Sequence, residues 1–246
     1  MWLAKLDQVP GWREWKYQVT VQTFWFDGEF SDTRKEIGDF VLPADIDREH
    51  AVITSYLILY STLTSLHDCE YYFRRDPFRG TPVRKHDHLR YICEMYFGRF
   101  YEFEEKLKEC LNSIIRVVGS DHKLNAGFII KEFSKEFKQE IRNRNNVHHH
   151  SQFEDIAIDN LFMTGTKSLD AQHGSAWKRR NDAAYRRATK EWAARVVHRS
   201  KRIEDHLNVV AKLILTNCPF LSDLVDHADA SISESKNQDT STANRA

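Results

Sequence analysis

The sequence predicts an all-α fold, a bundle of four to five long helices, and three observations carry that expectation. Glycine and proline are scarce, at nine and five in 246 residues, which leaves few of the breaks that a turn-rich β fold needs. Three long stretches repeat apolar side chains at every third or fourth position, the spacing of one buried helix face. With 41% hydrophobic and 29% charged residues, the chain has an ordinary globular balance and enough length to bury a sizeable core.

The first forty-odd residues are the least regular, and 1–43 is expected to form an N-terminal arm or small appendage. There "YQVTVQTFWF" alternates partly at period two. It is compatible with a strand, in a hairpin closed by "DGEF", and equally with an aromatic-rich helix. A helical domain is expected over 44–228. Val52, Tyr56, Leu59, Leu63, Leu66 and Phe73 mark its first long helix, with Asp45 or Asp47 as candidate N-caps. That helix stops near "RRDPFRGTP", where Pro77, Gly80 and Pro82 crowd together. A second runs from about His88 to Val118 on a stripe of Leu89, Ile92, Tyr96, Phe100, Phe103, Leu107, Cys110, Ile114 and Val117. Gly119 ends it, and Ser120 or Asp121 is expected to cap the next. After that come a short apolar segment, "FEDIAIDNLFM", and a polar loop, "TGTKSLDAQHGS". The last long helix buries Tyr185, Ala188, Trp192, Val196, Ile203, Leu207, Val210 and Ile214. Residues 229–246 carry almost no large apolar groups and read as a disordered tail.

Several function classes recede on composition alone. Cys69, Cys93, Cys110 and Cys218 are far apart and form no CxxC pair. They are expected as buried free thiols in a reducing compartment, neither a disulfide frame nor a zinc knuckle. The amino terminus carries no long apolar core or cleavage-like site, and no apolar run is long enough to cross a bilayer. The expectation is a cytoplasmic protein without a membrane partner. Net charge is zero, yet 177–202 holds ten Lys and Arg against two acids, so the rest of the chain carries minus eight. Arg179, Arg180, Arg186 and Arg187 head this stretch. Most of its basic residues fall off the apolar stripe and are expected to face outward, where they would attract a polyanion such as RNA.

The segment "IRNRNNVHHH", 141–150, poses the sharpest chemical question. Ile130, Phe133, Phe137 and Ile141 form an apolar stripe at helical spacing, and the same step lands next on Arg144 and His148. Three readings fit. The first is a polar helix end with solvated imidazoles. The second is a metal site, but successive helical residues point about 100° apart, so adjacent histidines do not converge on one ion; only His86 and His88 suggest themselves as further ligands. The third is acid–base chemistry on a phosphodiester. A histidine near neutrality moves the proton of a ribose hydroxyl or its leaving oxygen, an arginine one turn away grips the phosphate, and no metal or cofactor is required.

Arg144–Asn145 followed by His149 resembles the Arg-x(4–6)-His signature of the HEPN superfamily (higher eukaryotes and prokaryotes nucleotide-binding domain). The resemblance spans 45–217, with two amphipathic helices before the motif and helical structure after it. It implies an all-α, HEPN-like bundle that acts as a metal-independent endoribonuclease. It also implies a homodimer with two motifs facing each other across one cleft, and membership of a toxin–antitoxin or antiviral defence system with a neutralising protein partner. Carried over residue by residue, His149 becomes the general acid or base, Arg144 the phosphate clamp and Asn145 the orienting group. Arg142 with His148 satisfies the same rule and stays open as the alternative pair. The tyrosine that some relatives carry two positions after the histidine is absent, since Ser151 stands there. Other members have lost catalysis, so a silent helical module binding RNA, nucleotide or protein remains the second class, and a plain scaffold the third.

Overall fold

The computed structural model describes residues 2–24, 37–75, 83–119, 124–149, 153–169 and 174–221, with the backbone alone at 22–24 and 147–149. Among the described residues there are eight helices and no strand. They are α1 Trp2–Leu6, α2 Trp12–Phe24, α3 Ala44–Arg74, α4 Lys85–Val118, α5 Ala126–Glu136, α6 Lys138–His149, α7 Ile156–Lys167 and α8 Gly174–Asn217, followed by a 3-10 turn at Pro219–Leu221. The all-α expectation holds. None of the helices is long and apolar enough to cross a membrane.

The core is built by α3, α4 and α8, whose apolar stripes meet as the sequence spacing requires. Every residue of the α8 stripe is buried, and so are those of α3 and α4 except Tyr56 and Val117, which are half-buried. Register follows from single contacts. Lys85 with Asp182, His88 with Tyr185 and Tyr96 with Trp192 advance together, so α4 and α8 run parallel. Phe73 stacks on Trp192 with centroids 5.7 Å apart. Tyr96, Phe97, Phe153 and Trp192 interlock edge to face at the centre, a geometry that adds to plain area burial. All four cysteines are buried and free. Burial pushes the Cys69, Cys110 and Cys218 thiols up to about 11, so at neutral pH they are packing groups and not nucleophiles.

Local chemistry redraws several boundaries. Of the period-two segment near the amino terminus, 17–24 is helical, within α2, while its last two residues and "DGEF" lie outside the described residues. Trp2 of α1 packs on His50 and Phe220, and Trp12 of α2 on Phe40 and His50. Neither Asp45 nor Asp47 caps α3. Pro43 holds that position, and the two acids sit in the first turn, where they face the positive end of the helix dipole. Gly119 ends α4 with φ +82°, a backbone that favours glycine. Asn125 caps α5 by accepting from Phe128 N at 2.9 Å; Ser120 and Asp121 lie outside the described residues. The "TGTK" of the expected loop belongs instead to α7. Thr164 bonds back to the Asn160 carbonyl, and buried Asn181 of α8 donates to Leu161 O and Thr164 Oγ1, so tertiary contact outweighs weak helix propensity. The tail at 229–246 also lies outside the described residues.

Candidate functional site

The motif rides on α6, which is a near-continuation of α5. Phe137 joins the two with φ −103° and ψ 23°, and the backbone bonds Phe137 N→Phe133 O and Ile141 N→Phe137 O pass through the joint at 3.0 Å. Phe133 and Phe137 are fully buried, against Phe103 and Phe100 of α4. Ile130 and Ile141 are half-buried, and so is Arg144, which continues their line. The stripe therefore does run into a guanidinium.

Arg144 is held by a ring. Its Cζ lies 3.7 Å from the centroid of Tyr101 on α4, and Nη1 donates to Asn145 Oδ1 at 3.1 Å. Among the described residues it has no carboxylate partner, which leaves further N–H groups in the guanidinium plane for an external anion. Arg142 and Asn145 are exposed. His148 and His149 fall where the backbone alone is described, and the helix runs through both. At about 100° per residue, Arg144 and His148 share a face, Arg144 and His149 stand about 140° apart, and Arg142 and His148 about 120° apart.

The residue that the sequence reading missed is Glu140, one turn before Arg144. Its side chain is completely buried, yet its carboxylate is triply bonded. Arg195 Nη2 and Arg199 Nε of α8 donate to Oε1 at 3.0 and 2.9 Å, and Arg199 Nη2 to Oε2 at 3.4 Å. One turn earlier, Glu136 accepts from Arg202 at 2.6 Å and meets His206 Nε2 at 2.9 Å. Burial works to raise the Glu136 carboxyl, but the hydrogen bonds and charges of His206 and Arg202 outweigh it and hold it below its ordinary value. These two carboxylates clamp the end of α5 and the start of α6 antiparallel to α8. Tyr101 was passed over as well. The signal for Glu140 was the arginine pair Arg195 and Arg199 at i,i+4, legible only once the pairing of α6 with α8 is known.

The basic stretch of α8 therefore has two faces. Most of its cations face solvent, as expected, but Arg195 and Arg199 are half-buried against Glu140 of α6, and exposed Arg202 reaches Glu136 of α5. Arg179, Arg180, Arg186 and Arg187 are exposed as expected. Arg187 pairs with Glu191 at 3.6 Å with both side chains mostly in solvent, an attraction worth little. Arg180 and Lys167 flank Trp177, at 5.3 and 4.6 Å from its ring. Of the two histidines considered as further metal ligands, His86 is buried against Phe162 and His88 Nδ1 lies 2.7 Å from the Tyr185 hydroxyl. Among the described residues no group of three or more His, Cys, Asp and Glu converges. No family model, curated protein or solved structure matches the chain.

Proposed function

We propose that the chain is a metal-independent endoribonuclease of the HEPN type, with Arg144 as its phosphate clamp. The observation that carries this reading is the state of that guanidinium. It is half-buried, fixed on Tyr101 and tied to Asn145, and no described carboxylate neutralises it. Holding a cation in place without a counter-ion is useful where an anion is to arrive, because its orientation costs nothing further when charge builds on a phosphorane. In the proposed step the ribose 2′-oxygen attacks phosphorus and the bond to the 5′-oxygen breaks. His149 takes the hydroxyl proton or supplies the one the leaving oxygen needs. The products are a 2′,3′-cyclic phosphate and a 5′-hydroxyl. His148, on the face of Arg144, is the alternative acid–base group, with Arg142 as its partner in the signature. The exposed arginines of α8 supply the salt-sensitive attraction for RNA.

The test is cleavage of a mixed RNA pool in the presence of EDTA, by wild type and by Arg144→Ala, His148→Ala and His149→Ala separately. Loss of one acid–base group lowers the rate by about a hundredfold or more. The histidine whose loss does so identifies the register. Fold, read by circular dichroism, stays intact in all three. Wild-type protein that binds RNA but never cuts it would assign the chain to the silent binding class. A mixed dimer of wild-type and His149→Ala chains that retains half the activity, or a fully active monomer, would remove the composite cleft.

A further inference from the structure

A second feature lies away from α6. A cleft of about 860 Å³ opens where the first turn of α4, the last turns of α7 and the first turns of α8 meet. One wall is apolar, with Leu169 and Phe162 prominent. Phe162 is 44% exposed, yet its ring is fixed by buried His86, edge to face with centroids 5.1 Å apart. The lining also holds the cations of Arg84, Lys85 and Lys178. The one acid in the lining, Asp182, is already ion-paired with Lys85. Arg84 and Lys178 have no carboxylate partner among the described residues. Arg84 is also the N-cap of α4 and makes no side-chain hydrogen bond there, while Asp87 in the first turn faces the positive end of that helix.

A fixed polar group completes the lining. Asn181 is about nine-tenths buried. Its Nδ2 donates to Leu161 O and to Thr164 Oγ1, both at 2.8 Å. Those two acceptors fix the orientation of the amide, so Oδ1 is the atom left over, and it accepts from no described residue. Inorganic phosphate can offer a P–OH to that oxygen but has no apolar face for Phe162. A ligand that satisfies all three walls carries a phosphate, a flat apolar ring and an N–H on the ring edge. Cleft volumes of this order suit small ligands held by apolar walls and a few placed polar groups.

We infer that this cleft binds a nucleoside monophosphate unit. Its phosphate lies between Arg84 and Lys178, its base lies on Phe162, and Asn181 Oδ1 accepts from the base edge. The unit comes either as a free mononucleotide or as the 5′-phosphorylated end of a single-stranded RNA. The inference shares no residue with the α6 reading, and the two stand or fall apart.

Calorimetric titration of the full chain tests it, with the four 5′-ribonucleoside monophosphates, inorganic phosphate, the four nucleosides, and RNA oligonucleotides bearing a 5′-phosphate or a 5′-hydroxyl. At least one monophosphate should bind about tenfold more tightly than both phosphate and its own nucleoside, since charge-assisted hydrogen bonds and ring contact act together. Lys178→Glu and Phe162→Ala alter exposed side chains and should each weaken that binding by about tenfold with unchanged circular dichroism. His149→Ala should leave it unaltered. Tighter binding of 5′-phosphorylated than of 5′-hydroxyl oligonucleotides, with no mononucleotide bound and with the difference lost in both variants, would assign the cleft to an RNA end. Inorganic phosphate binding as tightly as the nucleotides would overturn the inference. So would variants that bind like wild type, or no binding of any phosphorylated probe.

Discussion

Glu140 offers the most demanding test of how this bundle is held together. A carboxylate with no solvent contact is stable only while its cations stay in place, and here they are unequal to it in exposure. The Arg195 side chain is 36% exposed and that of Arg199 26%, against 0% for Glu140. Removing the acid lets both guanidiniums relax toward water. Removing both arginines strands the acid. The two perturbations should therefore differ, although each destroys the same interaction. For Glu140→Gln, which keeps one acceptor and the packing volume, the expected loss is about 1–2 kcal/mol, the scale of a weakened charge-assisted hydrogen bond. For Arg195→Met with Arg199→Met, an uncompensated buried charge costs about 3–5 kcal/mol. Methionine is the appropriate replacement because Arg195 also covers Trp192, 4.8 Å from the ring, and Arg199 covers Phe137 at 5.6 Å. The apolar stem is then preserved while the charge is lost.

The triple variant Glu140→Leu, Arg195→Met, Arg199→Met closes the cycle. With charge and partners removed together, it should return to within about 1 kcal/mol of wild type or exceed it, since buried ion pairs seldom outdo well-packed apolar groups. Urea denaturation followed by far-ultraviolet circular dichroism and by tryptophan fluorescence measures all four proteins. Coincident transitions and a constant slope license the comparison. A double variant no less stable than Glu140→Gln would refute the reasoning, because burial of the carboxylate would then not set the cost. A triple variant less stable than the double would refute it as well.

The Tyr96 hydroxyl is buried without a hydrogen-bond partner among the described residues, and burial first, with Glu140 adding, pushes its pKa upward; Tyr96→Phe should leave stability unchanged or raise it by about 1 kcal/mol, and a clear loss in thermal denaturation would reveal a partner. His86 has its pKa lowered from 6.5, mainly by burial, so the folded chain resists a proton that the unfolded chain accepts; this contribution is complete above pH 6.5 and fades as pH falls from there through the lowered folded value. The lowered Glu136 carboxyl behaves alike but later, stabilising above its ordinary value of 4.5 and failing as pH drops below it; urea midpoints across pH should show both steps in wild type, the first flattened in His86→Gln and the second in Glu136→Gln. Changing Arg179, Arg180, Arg186 and Arg187 together to Glu should abolish RNA binding; in wild type, affinity should fall with salt at a slope of about 0.7 per phosphate contact, and a shallow slope with unaltered affinity would return these residues to a solvated face.

What could be read in advance divides along a physical line. The stripes of α3, α4 and α8 were legible because an apolar repeat at every third or fourth residue, sustained along a whole helix, arises in neither strands nor loops. Boundaries set within the local chain were legible too, as at Gly119. Features set by a partner helix were not. Nothing in "TGTK" announces a helix, since what holds it there is Asn181, seventeen positions after Thr164 and on another element. Glu140 looked like any solvated acid because its cations lie 55 and 59 residues further on. The basic count of 177–202 was correct, but a count does not say which arginines turn inward.

Those inward-turned arginines also account for the way the apolar stripe of α5 and α6 gives way to polar groups. Phe133 and Phe137 seat α5 and the joint on the rings of α4. Beyond them the helix must still be fixed, and at Glu140 the fixing passes from ring packing to charge drawn from α8. Arg144 follows one turn later and takes its hold from Tyr101 of α4. The guanidinium is therefore oriented by two neighbours at once, α8 through the backbone of α6 and α4 through the ring. A scaffold of this kind predicts a specific coupling. Glu140→Gln should loosen α6 and reduce whatever Arg144 does with an anion, although Glu140 itself faces away from solvent and touches no ligand. The conservative variant Tyr101→Phe keeps the ring and should leave that anion affinity intact, whereas Tyr101→Ala should lower it. If Tyr101→Ala and Glu140→Gln both bind RNA as wild type does, Arg144 is a surface cation resting on a tyrosine, and its rigidity serves the fold alone.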